Sequence, residues 1–447
     1  MTGRLLNGFT AAMLAAAAAA TLPGCAGDGP ELPKLGDLNP FKEKIAPLPG
    51  RRIALVDRDA KLPGELAEAG TPVALPPIRA NEAWSQPGGE PSNAPGHLAL
   101  SSAAPKQVWT GDAGDGSSSK GRLTASPVVA EGRVYTLDAD GKVTAFSASG
   151  GGVVWRTQLV PDTGAKGNGY GGGLAYDGGR LYGASGYGII AAIDPASGKK
   201  LWEKVIGAPV RASPTASGDR LYVVTSHGRF HAFNGADGAE LWAVRGLPQS
   251  SALVNNASPA VSGDMVVVPY PSGDIVALKA ADGNTVWTET LTRSRASSQS
   301  ALTDAGRPAV DQGVVFGVGH AGRMVATQLK DGERLWSLPI AGFQTPWVAG
   351  ETVFVVDITG QLLALSRRDG KVQWTTQLPA AKVWAGPTLA GGMLWLTSSS
   401  GKLAGVDAVT GKLTTQSDIG NPVFIAPVVA QGRMYVLTDN ARLIAMN

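Results

Sequence analysis

The chain contains the phrase Ala191-Ala192-Ile193-Asp194-Pro195-Ala196-Ser197-Gly198-Lys199-Lys200-Leu201-Trp202. Similar phrases recur at intervals of 38 to 49 residues and end at Trp109, Trp155, Trp202, Trp242, Trp287, Trp336 and Trp374. A repeat of about 40–45 residues, built from short strands and tight turns, is typical of a β-propeller. We therefore expect these seven tryptophans to dock neighbouring blades against one another.

A fixed frame of 28 residues leads to each blade end, as from Pro214 to Trp242. In all seven complete copies, glycine lies 14 residues and again four residues before the end. Hairpin turns place residues at positive φ, where a Cβ clashes, so the recurring glycines mark turns between short strands. After residue 95 no stretch has the 3.6-residue apolar period of a helix. The fold class predicted is all-β.

The two ends of the repeat predict how the ring closes. The seventh copy runs from Pro387 to Thr415, where threonine replaces the tryptophan, and an eighth begins at Pro427. The chain then ends at Asn447, one strand short, while the strand ending at Trp109 has no blade before it. We predict eight four-stranded antiparallel blades, with the N-terminal strand completing the C-terminal blade, because that closure removes two open sheet edges. Seven blades is the alternative, if the copy ending at Thr415 is degenerate.

The N-terminus has the pattern of a targeting segment. Arg4 is followed by an apolar stretch from Phe9 to Leu22, whose 14 residues are too few to span a bilayer core. A Leu-Pro-Gly run then leads to Cys25, the only cysteine in the chain. This ending resembles the bacterial lipoprotein signal, which implies cleavage before Cys25 and lipidation of that residue. An ordinary secreted protein with a leftover cysteine is the alternative.

Three regions follow from these patterns. Residues 1–24 are predicted to be a lipoprotein signal peptide, residues 25–95 a lipid-anchored Pro/Gly-rich tether, and residues 96–447 the propeller. With one cysteine the chain can form no internal disulfide, so the ring must hold by its core and its closure. The net charge of +3 is too small to favour nucleic acid as a partner.

Few patterns in the repeats could carry chemistry. The glycines at 167–172 are spaced as in a dinucleotide loop, but the residues after them predict a strand rather than a helix. His227 and His231 straddle a turn, so their spacing does not favour zinc. The aspartates before the blade-end glycines, such as Asp194, are turn formers. We therefore predict no catalytic residue, no metal site and no cofactor.

The phrase ending at Trp202 resembles the tryptophan-docking motif of pyrroloquinoline-quinone-type propellers, and the resemblance covers residues 84 to 447. Two functional branches share that motif: quinoprotein dehydrogenases and the BamB family of outer-membrane assembly lipoproteins. The run from Trp84 to Trp109 resembles the lead-in segment of the dehydrogenases. Those enzymes, however, usually have adjacent cysteines over the quinone, and here the one cysteine ends the signal segment. The lipoprotein signal, the tether and the bare ring resemble the BamB family.

That resemblance implies a non-enzymatic scaffold, anchored by lipid to the outer membrane on its periplasmic side and monomeric within a hetero-complex. The partner implied is BamA or a similar barrel-assembly protein, with nascent outer-membrane proteins as further partners. The alternatives are a periplasmic quinoprotein dehydrogenase and a propeller that binds cell-envelope polysaccharide.

The partner surface is expected where the repeat varies in length, in the connections between blades, which emerge on one rim. Two of the three longest are Arg245–Ala257 and Thr288–Arg307. The resemblance places partner contacts there: Leu253 matches the second leucine of a Leu-x-Leu-Arg phrase, and Asp304 matches one acid of an acidic phrase. The full set of partner-binding residues predicted is Leu247, Leu253, Val254, Arg293, Arg295 and Asp304. The turns at Gly141 and Gly188 are expected on the opposite rim.

Overall fold

The computed structural model describes residues 73–119, 121–161, 169–246, 257–292 and 305–447. Within these ranges the chain forms 32 strands in eight four-stranded antiparallel sheets and no helix. The prediction of an all-β, eight-bladed propeller is therefore confirmed. No helix long and apolar enough to cross a membrane occurs in this part of the chain.

Each blade is a meander of four strands, and the innermost strand of most blades is only three residues long. The N-terminal strand is β1 (Gln107–Asp112), and blades 1 to 4 comprise β2 (Val128–Ala130), β3 (Arg133–Leu137), β4 (Lys142–Ser147), β5 (Val153–Gln158), β6 (Gly172–Asp177), β7 (Arg180–Ser185), β8 (Ile189–Ile193), β9 (Lys200–Val205), β10 (Thr215–Ser217), β11 (Arg220–Val224), β12 (Arg229–Asn234), β13 (Glu240–Arg245), β14 (Ala260–Ser262), β15 (Met265–Pro269), β16 (Asp274–Lys279) and β17 (Thr285–Thr290). Blades 5 to 8 comprise β18 (Ala309–Asp311), β19 (Val314–Gly319), β20 (Arg323–Gln328), β21 (Arg334–Leu338), β22 (Trp347–Ala349), β23 (Thr352–Val356), β24 (Gln361–Ser366), β25 (Val372–Gln377), β26 (Trp384–Ala390), β27 (Met393–Ser398), β28 (Lys402–Asp407), β29 (Leu413–Asp418), β30 (Val428–Ala430), β31 (Arg433–Leu437) and β32 (Arg442–Met446).

The ring closes between the two ends of the chain. Blade 8 has the strand order β1-β32-β31-β30, so the N-terminal strand completes the C-terminal blade, as predicted. Trp109 lies opposite Ala445 in the antiparallel ladder. The backbone nitrogen of Lys106 donates to the oxygen of Asn447 at 2.7 Å, and the reverse bond measures 2.9 Å. This pairing covers the outer edge of β32 and makes β1 the outermost strand of blade 8.

The blade-ending tryptophans join each blade to the next. The indole Nε1 of each donates to a backbone carbonyl in the following blade, and the acceptors, in order from Trp109, are Ala148, Pro195, Gly235, Ala280, Leu329, Arg367 and Ala408. The blade-end glycine of that following blade lies against the indole face. A Cβ on Gly198, for example, would lie 2.6 Å from the ring of Trp155. The frame glycine is thus required both by the turn and by the contact.

Aromatic side chains fill the core between blades. Eight residues after the frame begins, most blades bury a large ring, as at Tyr135, which is fully buried. It packs at 5.8 Å, centroid to centroid, on Trp155 of the same blade. The outermost strands are largely exposed on one face, as in β9. Burial of these aromatic side chains contributes much of the apolar stabilisation of the propeller.

The segment before β1, residues 73–104, makes a circuit of the inner strands. We call it the strap. It bonds to the eight blades in order, through Trp84 with Val129, Ser85 with Tyr176, Gln86 with Ala216, Pro91 with Val261, Ser92 with Val310, Gly96 with Trp347, Leu98 with Leu389 and Ser101 with Gly432. Residues 73–95, which their composition assigned to the tether, thus pack on the ring. The resemblance of the run from Trp84 to a ring lead-in agrees with this position.

Candidate functional site

A cavity of about 350 Å³ lies on the axis of the ring. The strap forms one side of it through Trp84, Pro87 and Gly88. Most of the rest comes from residues at or near the beginnings of the inner strands, including Thr345 and Ala426. A Cβ on Gly88 would lie 2.2 Å from Oδ1 of Asn93, so the strap can turn here only with glycine. The cavity therefore exists because the strap passes beneath the beginnings of the inner strands.

The cationic group in this cavity is Arg307. Its Nε donates to Oγ of Ser258 at 2.7 Å, and Nη1 lies 3.4 Å from both the oxygen of Pro87 and Oγ1 of Thr345. Burial lowers the pKa of the Arg307 guanidinium to about 10, because the charged form loses its hydration. The side chain is still a cation at neutral pH. It joins the strap to blades 4, 5 and 6.

Two tryptophans stack beside it. The rings of Trp84 and Trp347 lie 6.2 Å apart at an interplanar angle of 23°. Trp347 donates its Nε1 to the oxygen of Gly96 at 2.9 Å, whereas the buried Nε1 of Trp84 has no acceptor among the described residues. The cavity therefore combines aromatic surface with a buried cation, which suits an apolar group that carries a hydrogen-bond acceptor.

The six predicted partner-binding residues, Leu247, Leu253, Val254, Arg293, Arg295 and Asp304, lie outside the described residues, as does Cys25. The structure describes the strand ends that flank both connections, at Arg245 and Gly246 and at Thr290 to Thr292. The two predicted connections follow successive blades, 3 and 4, so their flanks are neighbours around the ring.

The turns at Gly141 and Gly188 lie on the same rim as the connections between blades, and the prediction of the opposite rim is wrong. Their carbonyls accept, at 2.8 Å, from the nitrogens of Leu159 and Ile206, which are the first residues after β5 and β9. The physical reason is the alternation of strand direction: the second turn of a four-stranded meander and its exit are at the same end. The opposite rim carries the first and third turns of each blade.

Two of the histidines, His231 and His97, have structural partners. His231 places Nδ1 2.7 Å from Oε2 of Glu240. His97 ties the strap to blade 7, with Nε2 2.9 Å from the nitrogen of Gly392. In the described part of the chain, no three His, Cys, Asp or Glu side chains come close enough together to hold a metal ion.

A sequence profile of one family covers nearly the whole ring. The family is described as outer membrane protein assembly factor BamB, and it matches residues 95–166, 139–376 and 374–447. The chain belongs to this family. The BamB assignment thus covers the same blades in which the tryptophan contacts recur.

Individual comparisons agree with the BamB assignment at lower coverage. Outer membrane protein assembly factor BamB of Legionella pneumophila (strain Paris) is 28% identical over 109 residues, which is 24% of this chain and 28% of that protein. The match therefore spans less than a third of the relative's length.

Solved structures share the fold across both branches. BamB from Moraxella catarrhalis superposes with a TM-score of 0.66 at 16% identity, covering 77% of this chain and 99% of that one. Quinohemoprotein alcohol dehydrogenase from Comamonas testosteroni gives a TM-score of 0.64 at 12% identity, with coverage of 81% and 80%. At such identities the likeness establishes the propeller and nothing finer.

The axial cavity of this BamB-family chain does not fit a quinone-and-metal centre. Its described lining includes Arg307, His320 and Gln344 but no aspartate, glutamate or cysteine. A hard divalent cation such as calcium is usually bound by several oxygens that include carboxylates, and this lining offers the amides of Asn93 and Gln344 beside the cationic Arg307 but no carboxylate. No catalytic step through a quinone is therefore derived for the site.

Proposed function

We propose that the protein is a non-enzymatic scaffold lipoprotein of the outer-membrane β-barrel assembly machinery. In this proposal Cys25 carries the lipid anchor, the protein faces the periplasm from the outer membrane, and the ring docks on BamA and assists the insertion of outer-membrane proteins. The observation that carries the proposal is the match of the BamB profile along the whole ring. An axial lining without carboxylates adds support, because it favours a binding platform over an enzyme.

The rim that bears the connections between blades is the proposed docking face. Apolar contacts would come from Leu247, Leu253 and Val254, and Arg293, Arg295 and Asp304 would supply charge. The sequence predicts that these residues belong to connections and not to the blade frame, so changing them should leave the ring intact. Interface energy concentrates in few residues, so the double change Leu253→Ala with Asp304→Arg should cost about 2 kcal/mol or more of binding.

The test is purification of the lipidated protein from native envelopes in mild detergent, with BamA quantified in the eluate. The double variant should retain far less BamA at matched expression. A matched control on the opposite rim is Lys199→Gln with Lys412→Gln, since both lysines are exposed in third turns. Absence of BamA from the wild-type eluate would refute the proposal. Loss of BamA on changing only the control pair would show that the opposite rim is the docking face.

A second candidate is a quinoprotein dehydrogenase. The observation in its favour is the aromatic surface of Trp84 and Trp347 beside Arg307 in the axial cavity, and the observation against it is the lack of carboxylates in the same lining. Purified protein mixed with pyrroloquinoline quinone, with and without calcium, should show no saturable uptake and no dye reduction with alcohols or sugars. Stoichiometric uptake together with dye reduction would replace the scaffold proposal with this one.

A further inference from the structure

Blade 3 carries an unusual pair of charges where its outer two strands meet the rim. Arg229 opens β12 and Arg245 ends β13, and they are direct partners across the antiparallel ladder. Both residues are exposed. Like charges placed directly opposite each other on one sheet destabilise the pairing. The ring therefore holds two cations side by side at some cost to its own stability.

In the other blades with a recorded pair, the two residues that face each other at this position of the outer strands are not like charges. Lys402 faces Asp418 and forms an ion pair at 2.6 Å, and Asp274 faces Thr290 with a hydrogen bond at 2.7 Å. The remaining recorded pairs are Asp112 with Arg442, Lys142 with Gln158, Ile189 with Val205 and Gln361 with Gln377. Of the seven blades with a recorded pair, blade 3 alone sets two like charges opposite each other.

The neighbours of this pair only partly neutralise it. Glu240 lies 3.9 Å from Nη2 of Arg229, and the same carboxylate also accepts from or pairs with His231 at 2.7 Å. Arg245 forms no ion pair with any residue that the structure describes. The carboxylate of Glu240 is therefore shared between Arg229 and His231, and Arg245 has no such neighbour among the described residues.

A recess of about 370 Å³ lies between these arginines and blade 2. Ile206 and Ala208, in the connection that leaves blade 2, give it an apolar side, and His227 adds an exposed imidazole at its edge. Since Gly246 bonds at 2.8 Å to the oxygen of Gly228, the recess lies on the rim of the connections between blades. It lies directly beside the start of the connection Arg245–Ala257.

We propose that this basic recess binds an acidic segment of a protein partner, with Arg229 and Arg245 each receiving a carboxylate. The proposal rests on the scaffold function above and specifies the partner's chemistry at that rim. Arginine suits this role because its planar fork matches a carboxylate in two parallel hydrogen bonds. A bound carboxylate would also relieve the repulsion between the two guanidinium groups. The apolar wall at Ile206 favours a polypeptide, whose acidic and apolar side chains alternate, over a flat phosphate surface.

The test uses the full lipidated protein and the double variant Arg229→Gln with Arg245→Gln. We expect retention of BamA in detergent eluates to fall at least about tenfold, since truncating charges at an interface core commonly has this effect. Binding of a labelled oligoglutamate peptide, followed by anisotropy, should fall in parallel. The Lys199→Gln with Lys412→Gln protein, which also loses two charges, should retain both activities. The melting temperature of the arginine variant should be unchanged or higher, which a structural role for the pair would not allow.

The outcomes separate this inference from the scaffold function. If wild-type protein captures BamA and the arginine variant captures it equally well, the inference is overturned while the scaffold function stands. If wild-type protein captures no BamA but binds oligoglutamate through the two arginines, the scaffold function fails and the acid-binding recess stands. If phosphatidylglycerol vesicles bind through the pair and oligoglutamate does not, a membrane surface is the ligand and the inference is overturned.

Discussion

At the residue scale, the contact between a blade-end glycine and the preceding tryptophan explains why both recur at fixed spacing. We expect Gly198→Ala to destabilise the ring by about 2–4 kcal/mol. Part of that cost is the left-handed backbone, at about 1–2 kcal/mol, and the rest is overpacking of the indole of Trp155. Chemical denaturation of the purified ring measures the free energy of unfolding.

Gly179→Ala is the matched control for that substitution. Gly179 has the same φ of +75° as Gly198, but nothing lies within 4 Å of the Cβ that alanine would add. Gly179→Ala should therefore lower the free energy of unfolding only by the cost of the left-handed backbone, about 1–2 kcal/mol. Equal losses for the two variants would show that the glycine–tryptophan contact adds nothing to stability.

The sequence predicts some of these residues and misses others for a physical reason. The docking tryptophans and turn glycines follow from the repeat, because they perform the same task in every blade. Arg229 and Arg245 stand 16 positions apart and meet only through the register of one hairpin, so their opposition requires the structure. The position of Arg307 in the cavity could not be predicted from the sequence either, because the strap oxygen near its guanidinium belongs to Pro87, far away in sequence.

At the element scale, the junction between blades 7 and 8 explains the missing tryptophan. A tryptophan at 415 would dock on the third hairpin turn of the next blade, but in blade 8 that turn is replaced by the gap between Asn447 and Lys106. The sequence shows that threonine replaces tryptophan at 415, but the reason for this replacement is visible only in the structure. The loss of the tryptophan therefore accompanies the closure of the ring between β32 and β1.

We accordingly predict opposite results for two exchanges at this frame position. Trp155→Thr should lower the free energy of unfolding by about 3 kcal/mol, because it removes a buried indole and its bond to Pro195. Thr415→Trp should change the free energy of unfolding by less than about 1 kcal/mol, because blade 8 has no hairpin turn on which the new indole could dock. Thermal unfolding of both variants decides the matter, and a marked gain for Thr415→Trp would contradict this view of the junction.

The strap and β1 should contribute separately to the stability of the ring. A chain beginning at Lys106 lacks the strap but retains β1, and one beginning at Ala113 lacks both. Compared with a chain beginning at Val73, the first should melt lower, because all eight blades lose their hydrogen bonds to the strap. The second should melt lower still or fail to fold, because two sheet edges open. Identical melting temperatures for all three would refute a stabilising role for the strap and for the closure.

At the scale of the whole molecule, Cys25 is expected to determine whether the protein is attached to the membrane. Cys25→Ala should leave the protein unprocessed or soluble in the periplasm, because lipid modification at the signal junction needs the thiol. Two or more acyl chains give stable anchoring, so the wild-type protein should sediment with membranes. Fractionation and labelled palmitate incorporation measure this, with the rim variant Leu253→Ala as a control that keeps its anchor. Palmitate on the alanine variant would disprove the assignment of the anchor.

The path of the strap and the pairing of β1 with β32 also impose an order in time. The ribosome makes β1 before any blade, yet its partner β32 follows all the other strands in the chain. Through synthesis and export, the first part of the ring must wait unpaired while the rest of the chain follows. A chain cut short anywhere before β32 can form single blades but never a closed circle. Closure of the ring thus requires a copy that includes both β1 and β32.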